Sequence, residues 1–247
     1  PYRDWYVWSD AAPQGWSIWD KNPWYHAAAK PWEWKGKWEA LPAAPAGANG
    51  HYFGTFGGDR PDFNWRNPKV VDFHISNLRF WLNRGVDGFR LDAVPHLIET
   101  DAQRWSDQPE SRQLTALLAQ EIKSYPGRYV VCDVTQQSQA YGAPALCGGA
   151  FAYEQAQHFA KAARGDQASI KELATYFRSA PASMATFASN HDSFAGSRLW
   201  DQVEGDTTAY KLAAAGYLLL PGTPFVYYGE EVGQASLNAA PPMNADQ

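Results

Sequence analysis

An arginine and an aspartate stand two residues apart in Gly88-Phe89-Arg90-Leu91-Asp92, toward the end of an apolar run from Val86 to Val94. Side chains alternate along a strand, so Arg90 and Asp92 should project to the same side. A cation beside a carboxylate favours the ionised form. An ionised carboxylate fixed at a strand end suits a nucleophile or an electrostatic stabiliser better than a proton donor. An ordinary strand-end ion pair carries the same signature, because such pairs perturb acidity without performing chemistry.

Three further segments bear on that choice. Asn190-His191-Asp192 closes a short apolar run, Met184 to Ala188. Arg60-Pro61-Asp62-Phe63-Asn64 lies just upstream of a helix leading into the first strand, and Tyr227-Tyr228-Gly229-Glu230-Glu231 closes the run Pro224 to Tyr228. In this order and spacing the four segments resemble the alpha-amylase family of retaining glycoside hydrolases. Gly-Phe-Arg-Leu-Asp is similar to its nucleophile strand, Asn-His-Asp to its transition-state-stabilising segment, and Pro-Asp-Phe-Asn to a motif near the end of its inserted domain.

Retaining glycosidases need a nucleophilic carboxylate and a carboxylic acid about 5–5.5 Å apart. The resemblance implies Asp92 as nucleophile, with Arg90 keeping it ionised and oriented. It implies Asp192 as transition-state stabiliser, and His191, Asn190 and Arg198 as substrate-binding residues. The general acid position, where the family has Glu, falls on Asp133 in Tyr129-Val130-Val131-Cys132-Asp133-Val134. Aspartate is one methylene shorter, and a misplacement of ~1 Å can cost around 100-fold in rate. Glu154 is an alternative donor. His96, four residues after Asp92, matches a position whose backbone carbonyl binds a structural calcium ion in many family members. The implied chemistry otherwise requires no cofactor.

The substrate so implied is an alpha-glucan or maltooligosaccharide with alpha-1,4 linkages. A transglycosylase or isomerase is the runner-up, since Asp92-Ala93-Val94-Pro95 also resembles trehalose synthases. A sugar-binding member with impaired catalysis is the third reading, which the Asp at position 133 favours.

The elements that must position these residues follow from periodicity. Pro68 at a first-turn position, then Val71, Ile75, Leu78 and Leu82, predicts a helix ended by Gly85, followed by a strand from Val86 to Val94. Leu114, Leu117, Leu118 and Ile122 predict a helix over Gln113 to Lys123, followed by the strand Tyr129 to Val134. A weaker strand, Ala150 to Tyr153, precedes helical segments through Phe177. The strand Met184 to Ala188, a helix from Thr207 to Leu220 and the strand Pro224 to Tyr228 complete the pattern. Such alternation predicts an α/β fold with a parallel sheet. In a barrel, Asp92, Asp133, Asp192 and Glu230 would sit at the carboxyl ends of strands, where barrel chemistry resides. A doubly wound open sheet is the alternative, without a Gly-rich phosphate loop to accompany it.

By the resemblance, residues 67–234 form the C-terminal portion of a (β/α)8 TIM-type barrel, entered after its third strand. Residues 1–66 read as an irregular, Trp-rich inserted subdomain on its N-terminal side, and 235–247 as a tail toward a further domain. Eight of the 12 tryptophans fall between Trp5 and Trp38. Aromatic faces stack on sugar rings, so this density suits a carbohydrate cleft, although most of these rings should be filler.

A formal charge of −5 and a pI near 5.7 argue against a nucleic-acid or anionic-membrane partner. The longest apolar run, Leu212 to Leu220, is far short of the roughly 20 residues of a membrane helix. Cys132 and Cys147 make neither a disulfide framework nor a zinc site, and their spacing alone does not decide whether they pair. The compartment is undetermined, with a secreted or periplasmic setting favoured if the parent is an amylase.

Overall fold

The structure is a computed structural model and describes residues 2–11, 13–26, 50–192 and 196–236. Trp32, Trp34 and Trp38, the Ala/Pro/Gly-rich loop that starts at Leu41, and all but two residues of the 235–247 tail lie outside the described residues. The chain divides into two compact units, residues 1–86 with 93–121 and residues 87–92 with 122–247.

In the first unit, β1 (Trp8–Ser9), β2 (Trp24–His26) and β3 (His51–Phe53) form an antiparallel sheet in the order β1-β3-β2. This region is therefore less irregular than its sequence suggests. Its strands are two or three residues long, too short for alternation to register, and β3 supplies the pairing for both neighbours. Helix α1 (Pro68–Leu82) starts where Asn67 Oδ1 accepts the Lys69 N–H at 3.0 Å, with Pro68 at its first position. Such a cap is worth about 1 kcal/mol. Helix α2 (Pro109–Lys123) begins four residues earlier than its apolar stripe predicts.

The second unit carries the parallel sheet. Strands β4 (Gly88–Leu91), β5 (Tyr129–Cys132), β6 (Ala150–Phe151), β7 (Met184–Thr186) and β8 (Thr223–Pro224) are parallel and lie side by side in chain order. Close approach requires Gly88, since a Cβ there would lie 2.1 Å from the Tyr129 carbonyl oxygen. The strands are shorter than the apolar runs that encode them. After β4, Ala93 turns left-handed (φ 47°) and Val94–His96 forms a 3-10 turn containing Pro95, so the strand cannot reach Val94.

The connections are α3 (Ser138–Gly142), α4 (Tyr153–Ala163), α5 (Gln167–Ser179), α6 (Leu199–Gln202) and α7 (Thr207–Leu219). Asp166 and Asp206 cap α5 and α7. One apolar cluster joins Val131, Phe151, Tyr153, Ala156, Ala185 and Phe187, making the strand ends a stiff platform. A second joins α4, α6 and α7 through Phe159, Leu199, Ala213 and Tyr217. Cys132 and Cys147 form a disulfide that ties the end of β5 to the loop before β6. Among the described residues no helix is long and apolar enough to cross a membrane.

Candidate active site

Register brings the acidic residues to one level. Leu91 pairs with Cys132, and the Asp133 N–H donates to the Leu91 carbonyl at 2.9 Å. Asp92 and Asp133 thus leave adjacent strands together. Arg90 lies between three carboxylates, with Nη1 2.7 Å from Asp92 Oδ1 and Nη2 2.9 Å from Asp133 Oδ2 and 3.8 Å from Asp192 Oδ2. Asp192 follows β7, and its N–H donates to Asn190 Oδ1 at 2.8 Å, which tightens the turn that delivers it.

Burial separates the roles of the two nearest carboxyls. The Asp133 side chain is 9% exposed and that of Asp92 73%. Burial raises the Asp133 pKa, Arg90 opposes the rise, and a hydrogen bond with the Asp92 carboxyl adds to it. Two carboxyls can share a hydrogen bond only if one carries a proton. Of the two, Asp133 is the buried carboxyl whose pKa is raised, and Asp92 is the one open to solvent. Burial works against the Arg90 charge, but Asp133 and then Asp92 outweigh it and hold the guanidinium pKa above its ordinary value. The cluster thus sets one buried carboxyl of raised pKa and one exposed carboxyl on the same guanidinium.

Tyr153, absent from the sequence-based set, stands in the middle of this group. Its hydroxyl accepts from Asn190 Nδ2 at 2.7 Å, approaches Asp192 Oδ2 at 3.4 Å, and is hydrogen-bonded to Asp133 and Arg90. Burial first, and then the Asp133 charge, push its pKa up, so the phenol stays neutral and acts as a donor. Its place at the end of the weak Ala150–Tyr153 run is the one sequence feature it shares with the strand-end acids.

His191 is exposed, with Nε2 3.5 Å from Asp192 Oδ2. Both ends of the Asn190 amide are engaged by protein, one by Tyr153 and the other by Asp192. Arg198 donates to the Tyr228 carbonyl at 2.6 Å, with its guanidinium over the rings of Tyr227 and Tyr228. Glu154 accepts from the Ser138 N–H and Oγ, so it caps α3. Glu230 is buried and accepts from Ser189 Oγ, Tyr217 and the Tyr227 N–H, an anchor between the β7 and β8 ends.

In the other unit, His96 stacks on Trp105 with ring centroids 5.3 Å apart, and Trp19 and Phe56 meet its edges. Burial lowers its pKa to about 4. Among the described residues no three His, Cys, Asp or Glu side chains gather as a metal site. That unit also holds a second carboxyl pair. Asp62 accepts from the Thr55 N–H and Oγ1, and burial raises its pKa to about 6 despite those bonds. Glu99 is buried, and burial followed by the Asp62 charge pushes it up to about 8.

A parallel β/α sheet whose carboxyl-terminal strand ends collect one guanidinium and three carboxyl groups defines the class as an acid-bearing β/α barrel. The chain belongs to the alpha-amylase family, whose catalytic-domain model matches residues 1–246. The sheet is accordingly part of a (β/α)8 barrel. The chain is 29% identical to a trehalose synthase of Thermus thermophilus over 94% of its own length and 27% of that protein. It is also 29% identical to Alpha-amylase 3 of Dictyoglomus thermophilum, over 94% of its length and 42% of that protein. The crystal structure of alpha-amylase from H. orenii superposes with a TM-score of 0.69 at 27% identity, covering 95% of this chain and 45% of that one. The chain thus spans less than half of the length of the curated relatives it matches.

Proposed function

We propose that this chain supplies the reacting carboxyls of a retaining alpha-glucan hydrolase, acting on alpha-1,4-glucosidic bonds through a covalent glycosyl-enzyme intermediate. The observation that carries the reading is Arg90, set among three carboxyl groups from the ends of β4, β5 and β7. In the first step an Asp92 oxygen bonds to the anomeric carbon, the glycosidic C–O bond breaks, and Asp133 gives its proton to the departing oxygen. In the second step Asp133, now ionised, takes a proton from water as that water attacks the same carbon and releases Asp92. Asp192 accepts hydrogen bonds from ring hydroxyls that strengthen as the oxocarbenium-like state forms, and His191 donates to the same ring. This chemistry calls on no cofactor.

A transglycosylase or isomerase shares the first step and differs in passing the glycosyl unit to a sugar. Similarity to trehalose synthases supports that second reading. A secreted or periplasmic setting goes with the hydrolase, and the Cys132–Cys147 disulfide supports it.

A 5-fluoro-glucosyl fluoride applied to the full-length protein should leave a stable adduct that peptide mass mapping places on Asp92. No adduct, or one on another residue, removes the nucleophile assignment. Product analysis on maltose, with and without excess glucose, separates release of glucose from formation of a new disaccharide.

A further inference from the structure

We infer that Tyr153 is a positioning residue for Asp133, its hydroxyl fixing the short acid side chain and linking it to the Asn190–Asp192 segment; the inference rests on the retaining mechanism proposed above. A phenolic oxygen has one proton to give and lone pairs to receive. Asn190 Nδ2 donates to it at 2.7 Å, and Arg90 is a second donor. The proton is thereby left for the carboxyls. The hydroxyl reaches Asp192 Oδ2 only over a long 3.4 Å, and Asp133 is hydrogen-bonded to it as well.

The ring has little freedom to follow any other partner. Tyr153 is buried between Phe151 and Phe187, with ring centroids 6.1 and 4.9 Å away, at the first turn of α4. Aspartate at position 133 gives the acid a shorter lever than glutamate would, so its direction depends on what grips it. Arg90 grips Oδ2 from β4, and Tyr153 grips the same carboxyl from α4. The groups facing Asp133 are thus Arg90 and Asp92 from β4, Tyr153 from α4 and, through Tyr153, Asp192 from β7.

The test compares two substrates in the full-length protein and its Tyr153→Phe variant. Glucosyl fluoride departs without a proton from the enzyme, whereas maltose needs one. Tyr153→Phe should lower kcat on maltose by about tenfold more than on glucosyl fluoride. Its hydrogen bond stabilises the Asp133 anion, so its loss should raise the alkaline limb of the maltose profile by roughly half to one pH unit. Losses from Tyr153→Phe and Asp133→Asn on maltose should not add, which remains readable if the single variant is also less stable. An equal fall on both substrates, an unmoved alkaline limb or additive losses overturns the positioning role, while an Asp92 adduct in the unmodified protein keeps the retaining reading. Absence of that adduct removes both.

Discussion

Two carboxyl clusters, one in each unit, are built on opposite principles. Around Arg90, three carboxyl groups share one guanidinium, and the buried Asp133 is bonded both to it and to the Tyr153 hydroxyl. Around Glu99 in the first unit, the neighbouring arginine is engaged elsewhere. Arg66 Nη1 binds the Glu99 backbone carbonyl at 2.9 Å, and its remaining nitrogens reach the Glu110 carboxylate. Both clusters raise carboxyl pKa values by burial, but the first also sets its buried acid against a guanidinium and an exposed carboxyl. A raised pKa alone therefore does not mark chemistry. A buried acid held by a guanidinium where several strand ends meet is the better candidate for it.

The largest effect should come from removing the shared cation. Arg90→Leu leaves Asp133 buried beside two other carboxyl groups with no compensating charge. Breaking a buried pair in this way costs about 3–5 kcal/mol, with the lower end expected because Asp92 is open to solvent. Denaturant unfolding of the full-length protein reads the stability, and an undiminished midpoint would show that Arg90 does not compensate the cluster. Turnover on maltose should fall by far more than the unfolded fraction explains, because Asp92 loses its orientation as well.

The Glu99 pair should respond next, with the sign set by linkage. Its carboxyl titrates near 4.5 when unfolded and near 8 when folded. Between those values the folded chain binds more protons, so stability falls as pH rises from about 4.5 to about 8. Asp62 adds the same sign between 3.8 and about 6. Glu99→Gln removes most of this slope and should leave the variant more stable than the parent above pH 8, by a few kcal/mol at most, on the order of its displaced pKa. A parent whose stability does not decline across that range would refute the assignment of a buried neutral Glu99.

The contrast also explains what could be read in advance. Arg90 and Asp92 were legible because their relation is local, two residues on one strand. Helix starts at Pro68, Asp166 and Asp206 carry their signals in one or two side chains. Strand lengths were overread, as at Ala93, where a left-handed backbone ends β4 inside a continuous apolar run. The antiparallel strands around His51–Phe53 were not legible, since their pairing joins segments far apart in the chain. Tyr153 escaped because its hydroxyl acquires meaning only when the ends of β4, β5 and β7 converge on it. Glu99 escaped because burial of a lone charged residue leaves no periodic trace.

The smallest effect, and the sharpest test of the Arg90 cluster, is Asp133→Glu. The extra methylene moves the carboxyl outward by roughly 1 Å, a distance that can be worth up to ~100-fold in rate. Two forces oppose each other. A longer acid reaches further toward a leaving oxygen, but it must leave the position set by Arg90 and by the Tyr153 hydroxyl. If the present grip is a compromise for a short side chain, Asp133→Glu should raise kcat on maltose about tenfold while glucosyl fluoride, which needs no acid, changes far less. If the site is already fitted to aspartate, glutamate should lower maltose turnover instead, and Tyr153→Phe should partly restore it by freeing the space. Equal rates for both acids on maltose would mean that Asp133 does not protonate the leaving group, and would reduce it to a buried partner of Arg90, much as Glu99 is a buried partner of Asp62.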